Sequence, residues 1–445
     1  MKALVLAAGE GTRLRPLTSN IPKPLLLVAG RPFMSHVLEA LGELGIKDIY
    51  ILVGWKANKI KEYYGDGSRL GLNIRYLEQR ERMGTAHAIG CAEGSIDEPF
   101  MCLNGDVIMF KEDLGRMLDR YKDTGSTIMG AVTVPDPQRF GVLEIHDGRL
   151  QKIHEKPDVP PTNLINAGAF VFNPDIFSRI RATPKSVRGE YEITDTLNTL
   201  AAESDVYVEK LTGGWMDVGR PWDLLQANEI LMSKLKGRIE GTVEPGATLK
   251  GEVIVEKGGL VRSGAYIEGP VYISEGCDVG PNCYIRPSTC LGPGVKVGAS
   301  VEVKNSIIMA RTHVPHHNYV GDSVIGERCN LGAGTKVANL RFDDQKVKVT
   351  FKGQLIDSGR RKLGVIMASL ASHDYYRDDM RLPRTGPLQR HTTSTGRPRP
   401  INDQIRPADI RYFFSIFEIL PLADRLDKFL RSLEVDRVRL LVASR

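Results

Sequence analysis

Four side chains carry the strongest chemical signal in this chain: Arg13 and Lys23 beside a glycine-rich turn, and the aspartates Asp106 and Asp217 far apart in sequence. Arginine grips a phosphate with two parallel hydrogen bonds, and lysine offers a compact charge. Carboxylates are hard oxygen donors suited to Mg2+. Two acids from distant sequence converging on one ion would neutralise a triphosphate and orient an in-line attack on it. The turn reads Leu6-Ala7-Ala8-Gly9-Glu10-Gly11-Thr12-Arg13, followed by Pro22-Lys23-Pro24. Gly9 and Gly11 let backbone N–H groups approach an anion with no Cβ in the way. A Walker loop is excluded, because no Gly-Lys-Ser/Thr follows, and the third glycine of a dinucleotide fingerprint is missing.

The elements that must position these residues alternate between two periodicities. Ala3 to Leu6 is apolar on both sides, as in a strand buried within a parallel sheet. Pro32 to Leu44 has helical spacing, Asp48 to Val53 is a second strand, Ala57 to Tyr64 a short helix, and Ile74 to Tyr76 opens a third strand. Phe100 to Leu103 is a further buried strand running into Asn104-Gly105-Asp106, so Asp106 stands at a strand C-terminus. This rhythm predicts a doubly wound, Rossmann-like α/β sheet with its crevice at the strand C-termini. Gln79 and Gly84-Thr85 follow the third strand. The Gln79 amide offers both donor and acceptor to a base edge, and Gly84 permits close backbone approach. Gly141, Glu155-Lys156 and Asn166 lie between the two aspartates. Each is compatible with an ordinary turn when taken alone.

The combination Gly9-x-Gly11-Thr12-Arg13-x-x-Pro16-Leu17-Thr18 with Pro22-Lys23-Pro24 closely resembles the signature of sugar-1-phosphate nucleotidylyltransferases. The resemblance implies that UTP or dTTP is joined to a hexose 1-phosphate, glucose 1-phosphate or N-acetylglucosamine 1-phosphate, with release of pyrophosphate. It implies that Leu6 to Gly9, Gly11 and Thr12 hold the nucleotide, and that Gln79, Gly84 and Thr85 sit on its base. It assigns Gly141, Glu155, Lys156 and Asn166 to the sugar phosphate, and Asp106 and Asp217 to Mg2+. Gly189 to Asp195 also matches the family pattern, without an assignable role.

From Val243 to Met309 an apolar residue recurs at every sixth position, through Leu249, Val255, Val261, Ile267, Ile273, Val279, Ile285, Leu291, Val297 and Val303. Neither a helix nor a single strand has that period. Hexapeptide repetition predicts a left-handed parallel β-helix. Cys277 and Cys283, six apart, belong to it rather than to a metal site. The register breaks after Met309 and resumes at Tyr319, Ile325, Leu331 and Val337, which predicts a looped-out insert, Ala310 to Asn318, carrying His313, His316 and His317.

Val314-Pro315-His316-His317-Asn318-Tyr319-Val320-Gly321-Asp322 resembles the acetyltransferase half of the bifunctional N-acetylglucosamine-1-phosphate uridylyltransferase/glucosamine-1-phosphate acetyltransferase. There the residue at the position of His316 is the general base toward the sugar amine, and an imidazole suits that task. The resemblance places Arg286, Lys304, Tyr319, Asn330 and Asn339 on its phosphosugar, acetyl-CoA as second-site substrate, and a trimer formed through the β-helix. A further family lysine falls at Gln345, with Lys346 or Lys348 as the replacement. Two competing readings stay open: a fully bifunctional enzyme, and a non-catalytic regulatory or scaffold subunit, which would need none of Arg13, Lys23, Asp106 and Asp217.

Residues 1–228 are thus expected to form the nucleotidyltransferase domain and 229–367 the solenoid. Residues 368–445 lack the repeat and switch to thirteen arginines against one lysine, Lys428. Arg384 to Pro407 reads as disordered, and Phe414 to Leu433 as one amphipathic helix. Back-translating Ala368 to Ser372 and shifting by two bases yields Val-Thr-Gly-Ile, a motif that archaeal members carry here. A shifted reading frame is therefore one explanation of the tail, and a genuine partner-binding extension is the other. In either case acetyl transfer is expected to be weak or absent. The net charge of +6 is spread along the chain without a Lys/Arg block, which argues against nucleic acid and membrane partners. The absence of a secretory leader, of a bilayer-spanning run and of any Cys-x-x-Cys pair predicts a cytoplasmic protein with free thiols.

Overall fold

The computed structural model describes residues 1–351 and 353–369. The expectations for the tail beyond Ser369 lie outside the described residues. A nine-stranded sheet forms the first part of the chain. Lys2–Ala7 pairs in parallel with Asp48–Val53 on one side and Phe100–Asn104 on the other, and Asn73–Glu78 continues the parallel half. The other half is mixed. Leu164–Phe172 runs antiparallel to both Phe100–Asn104 and Thr127–Thr133, because it returns from the hairpin Gly141–His146/Arg149–Glu155.

Strand alternation sends Ala3, Val5 and Ala7 into one layer, with Val37, Leu38 and Leu41 of the helix Phe33–Glu43. Leu4 and Ala8 enter the opposite layer, with Leu197 of the helix Ile193–Glu203. Both faces are therefore covered, as a parallel sheet requires. Each fully buried leucine contributes roughly 1.5–3 kcal/mol.

From Arg238 onward, short strands stack in three parallel sheets, the three-faced coil that six-residue repeats of a left-handed β-helix make. Val243 pairs with Val261, Val261 with Val279 and Val279 with Val297, so one coil takes eighteen residues. Val261, Ile267, Ile273, Val279, Ile285 and Leu291 are 0% exposed and fill the interior.

The predicted insert Ala310 to Asn318 does not exist. Val297 pairs with Val314, Val303 with Val320 and Leu291 with Ile308, so this coil is one residue short rather than carrying a loop. Ile308 takes the interior place expected for Met309, and Val320 the place expected for Tyr319. The contraction occurs between Val303 and Ile308, where Asn305 adopts a left-handed conformation at φ 44°, and recurs between Val320 and Ile325 at Asp322, φ 51°. Left-handed residues also stand at the corners of full six-residue steps, at Asn282, Ser288, Ser300, Arg311 and His317, so this conformation turns the chain at a corner without by itself shortening the step. His313 therefore lies on a strand, with His316 and His317 at the next corner, both exposed.

Beyond Val337 the chain leaves the coil to form a hairpin, Lys348–Phe351 with Gln354–Asp357, before Ile366–Met367 rejoins the sheet. The solenoid is fastened to the sheet domain by an apolar cluster containing Leu14, Trp222, Tyr272, Cys290 and Ile307. Asn228, wholly buried, accepts from the Ala29 N–H at 2.9 Å and donates to the Ser288 carbonyl at 2.7 Å. Gly30, at φ +85°, gives its N–H to Cys290 Sγ, and a Cβ there would lie 2.2 Å from the Tyr272 ring. Gly30→Ala should cost about 1–3 kcal/mol by overpacking this seam. The check is urea unfolding, and an unchanged midpoint would refute the seating of Tyr272 on Gly30.

Candidate active site

The strand Lys2–Ala7 delivers the glycine turn to the C-terminal edge of the sheet. Gly11 takes φ +66°, and a Cβ there would sit 3.3 Å from Lys23 Cβ and 3.2 Å from Thr18 Cγ2. Thr18 Oγ1 donates to the Gly11 carbonyl at 2.8 Å. The turn is thereby folded against Lys23. Asp106 follows the neighbouring strand, where the Gly105 N–H donates to the Leu6 carbonyl at 2.9 Å. Asp217 arrives on the two-residue strand Met216–Asp217, antiparallel to Val107–Ile108, with Asp217 opposite Val107. That pairing brings the two aspartates together across more than a hundred residues of sequence.

Lys23 lies between them, its Nζ 2.9 Å from Asp106 Oδ2 and 4.0 Å from Asp217 Oδ1. A cleft of about 270 Å3 opens above, lined by Leu6, Ala7, Gly9, Gly11, Thr12, Arg13, Lys23, Asp106 and Asp217. Ala8 stands just behind, its carbonyl accepting from the Trp55 N–H. The Asp217 carboxyl is held above its ordinary pKa, first by burial and then by the charge of Asp106, with Lys23 opposing. Among the described residues no group of three or more His, Cys, Asp or Glu is placed to hold a metal. The donor set here is two carboxylates, which leaves coordination sites for oxygens of a ligand.

Of the residues expected at the base, Gln79 is buried, with its Nε2 3.0 Å from His87 Nδ1, beside a cleft that Trp55 also lines. Gly84 is needed for a reason other than a nucleotide: its Cβ would lie 2.4 Å from the Tyr191 carbonyl oxygen. Thr85 Oγ1 accepts from the Ile193 N–H at 3.0 Å. The run Gly189 to Asp195 thus docks on Gly84 and Thr85.

Of the residues expected at the sugar phosphate, Gly141 and Glu155 are directly opposite on paired strands, and a Cβ on Gly141 would sit 3.3 Å from Glu155 Oε2. Glu155 Oε1 contacts Lys156 Nζ at 2.9 Å and Arg188 Nη2 at 3.1 Å. Asn166 begins a bulge in Leu164–Phe172 and accepts from the Gly168 N–H at 2.8 Å. Bulges re-aim side chains in this way. Arg188, which also grips Glu192, was missed by the sequence reading, although it stands one residue before a quoted motif.

In the solenoid, Lys304, Tyr319 and Asn339 converge on Asp322. Asn339 Nδ2 reaches Asp322 Oδ2 at 2.6 Å and Tyr319 Oη at 3.1 Å, and Lys304 Nζ lies 3.5 Å from Asp322. Arg286, one coil below, pairs with Glu302 at 2.9 Å. Asn330 bridges to His313 in a different sheet, so one chain does not bring it to the others. Gln345 donates its backbone N–H to Asp343 Oδ1, and Lys346 and Lys348 are exposed.

A doubly wound sheet whose glycine turn faces two converging aspartates defines an enzyme class, and the chain belongs to the nucleotidyl transferase family, whose model matches residues 2–234. A model of the GMPPB C-terminal domain matches residues 267–357. The chain is 45% identical over 368 residues to the bifunctional protein GlmU of Methanocaldococcus jannaschii, covering 82% of this chain and 87% of that one. It is 42% identical over 370 residues to the bifunctional sugar-1-phosphate nucleotidylyltransferase/acetyltransferase of Sulfurisphaera tokodaii, covering 82% and 90%. The sheet domain also matches the crystal structure of a Bacillus anthracis protein named for glucose-1-phosphate thymidylyltransferase, with TM-score 0.50 and 29% identity over 54% of this chain and 98% of that one.

The raised pKa of Asp217 fixes a sign. Folding favours its proton, so the penalty is absent below the unfolded carboxylate value near pH 4, grows as pH rises through the higher folded value, and is complete above it. Asp217→Asn should therefore raise the melting temperature of the free protein at neutral pH, with the gain shrinking toward about pH 4. Calorimetry across that range checks it, and a variant that melts lower at neutral pH contradicts it.

Proposed function

We propose that residues 1–228 join UTP or dTTP to a hexose 1-phosphate, glucose 1-phosphate or N-acetylglucosamine 1-phosphate, giving the nucleotide sugar and pyrophosphate. The observation that carries this reading is Lys23 seated between Asp106 and Asp217 on the floor of the glycine-turn cleft. A phosphate oxygen of the sugar attacks the α-phosphorus; the new P–O bond forms as the bond to the bridging β-oxygen breaks, and pyrophosphate leaves with that oxygen. No covalent enzyme intermediate is needed. The backbone of Gly9, Gly11 and Thr12 holds the phosphates, while Lys23 and Arg13 offset charge as it moves to the leaving group. Asp106 and Asp217 would hold Mg2+, which would supply charge neutralisation on the triphosphate. Glu155 and Asn166 accept sugar hydroxyls, and Lys156 faces phosphate.

A second reading rests on the solenoid cluster of Lys304, Tyr319, Asp322 and Asn339, with His316 exposed at the corner that precedes the strand Tyr319–Gly321. On this reading residues 229–367 keep the acetyltransferase fold, and transfer of an acetyl group from acetyl-CoA to glucosamine 1-phosphate, with His316 taking the amine proton and a trimer completing the site, is weak at most in this chain, because the coils that would follow Met367 are replaced by a tail without the repeat. All six cysteines are unpaired, and among the described residues no helix is long and apolar enough to cross a membrane, which supports a cytoplasmic location.

Pyrophosphate release is the test for the first reading. Lys23→Ala and Asp106→Ala should each lower it about 100-fold or more, the scale of losing one preorganised transition-state contact, without loss of fold by circular dichroism. Near-normal turnover in either variant refutes the assignment. For the second reading, thiol release from acetyl-CoA with glucosamine 1-phosphate should vanish in His316→Ala, and an equal rate in that variant removes His316 from the chemistry.

A further inference from the structure

The hairpin that leaves the solenoid is placed against the reaction centre rather than along the coil. Its cross-strand pairs are Val349 with Ile356 and Phe351 with Gln354, which puts these four side chains on one face. Val349 and Ile356 pack on the apolar cluster that joins the solenoid to the sheet domain. Phe351, Gln354 and Ile356 line a cleft of about 520 Å3 whose opposite wall is Arg139, Phe140, Lys156 and Arg220. This cleft meets the glycine-turn cleft at two residues common to both, Arg13 and Asp217.

The cleft is cationic. Arg13, Arg139, Lys156 and Arg220 line it with one carboxylate, Asp217; Lys156 is paired with Glu155, and Asp223 lies near Arg139 and Arg220, which leaves the lining with a cationic excess. The Arg139 guanidinium lies 5.9 Å from the Phe140 ring centre, and that of Arg220 5.5 Å from Trp222. Arg220 is held below its ordinary pKa by burial and then by Arg139, with Arg13 adding to the effect. Three guanidiniums crowded in this way call for an anion.

One helix sets both walls. Asp223, at the start of Asp223–Met232, accepts from the Gly219 N–H at 3.0 Å and the Arg220 N–H at 2.7 Å. Two turns on, Glu229 accepts from Arg360 at 2.6 Å, just beyond the hairpin, and Val347 and Arg360 close the hairpin base through a backbone bond of 2.8 Å.

We propose that the hairpin Lys348–Asp357 is a wall of the hexose 1-phosphate subsite, with Phe351, Gln354 and Ile356 against the sugar and Arg139 and Arg220 on its phosphate. This rests on the nucleotidyl-transfer reading above. The triphosphate occupies the glycine-turn side of Asp217; the second cleft, reached by Lys156 from the sugar strand, is the side left for the attacking phosphate. The solenoid then selects the sugar of a reaction carried out by the other domain, with a ring face from Phe351 and Ile356 and an amide from Gln354.

The test uses the full chain and steady-state pyrophosphate release, varying sugar 1-phosphate and nucleotide separately. Gln354 is exposed, so Gln354→Ala keeps the fold, which its melting temperature verifies. Arg220→Met should raise KM for sugar 1-phosphate about tenfold or more, the scale of a lost hydrogen bond to a charged group; Gln354→Ala should raise it several-fold and change the ratio of glucose to N-acetylglucosamine substrates. KM for the nucleotide should stay within about twofold in both, and Arg220→Lys should recover part of the loss. If the unaltered chain releases no pyrophosphate with any pairing, the nucleotidyl-transfer reading fails and this inference with it. If the unaltered chain turns over and Gln354→Ala leaves sugar KM and preference unchanged, the hairpin wall alone is refuted. A rise in pyrophosphate KM in the reverse reaction, with sugar KM unchanged in Arg220→Met, would reassign the cleft to the leaving group and overturn the proposal.

Discussion

Asp106 and Asp217 share one ammonium, Lys23, and burial together with the charge of Asp106 disfavours the ionised form of Asp217. Two unit charges 4 Å apart interact by roughly 4 kcal/mol at an effective dielectric of 20. The sheet must therefore supply enough apolar burial to hold an arrangement that repels itself. It does so by threading Lys2–Ala7 and Phe100–Asn104 through the centre, where Leu4, Val5, Phe100 and Cys102 are fully buried. The short pairing of Met216–Asp217 with Val107–Ile108 then adds the second acid. An enzyme that keeps such a site gives up stability for a cation-hungry cleft, the familiar exchange between function and stability.

The helix Asp223–Met232 transmits that arrangement to the rest of the molecule. Its first residue fixes the backbone of Gly219 and Arg220, Asn228 seals the buried seam with Ala29 and Ser288, and Glu229 binds Asn305 and Arg360 of the solenoid. Asn305 stands in the shortened step between Val303 and Ile308. The solenoid is thus more than a spacer: its seam with the sheet domain and the base of its hairpin both meet contacts from one helix.

Much of this was legible in the chain. The two-sided apolar run Ala3 to Leu6, closed by a glycine turn, points to a buried strand, and the six-residue apolar period to a solenoid, because neither an α-helix nor a single strand repeats every six residues. The site's cations and aspartates were legible through residue type and motif. What the sequence hid is tertiary. A one-residue contraction between Val303 and Ile308 looks, from the period alone, like the insert Ala310 to Asn318, since the eye follows Met309 and Tyr319 instead of their inward neighbours Ile308 and Val320. Gly84 reads as room for a ligand, while the backbone of Tyr191, which also requires a glycine there, is brought in from more than a hundred residues away. Arg188 and Arg220 adjoin motifs without belonging to them, and the hairpin's Phe351 and Gln354 have no local pattern that points 130 or more residues back to Arg220.

The central claim is that Lys23 holds a place between Asp106 and Asp217 that a divalent cation and a triphosphate share on binding. Crystals of the full chain grown with Mn2+ and a non-hydrolysable UTP analogue test it through anomalous scattering. The account predicts one manganese peak bridging an oxygen of Asp106 and one of Asp217, with the Lys23 ammonium swung from Asp106 onto the phosphates. A manganese bound elsewhere, or the two carboxylates turned away from each other with nucleotide present, would contradict it.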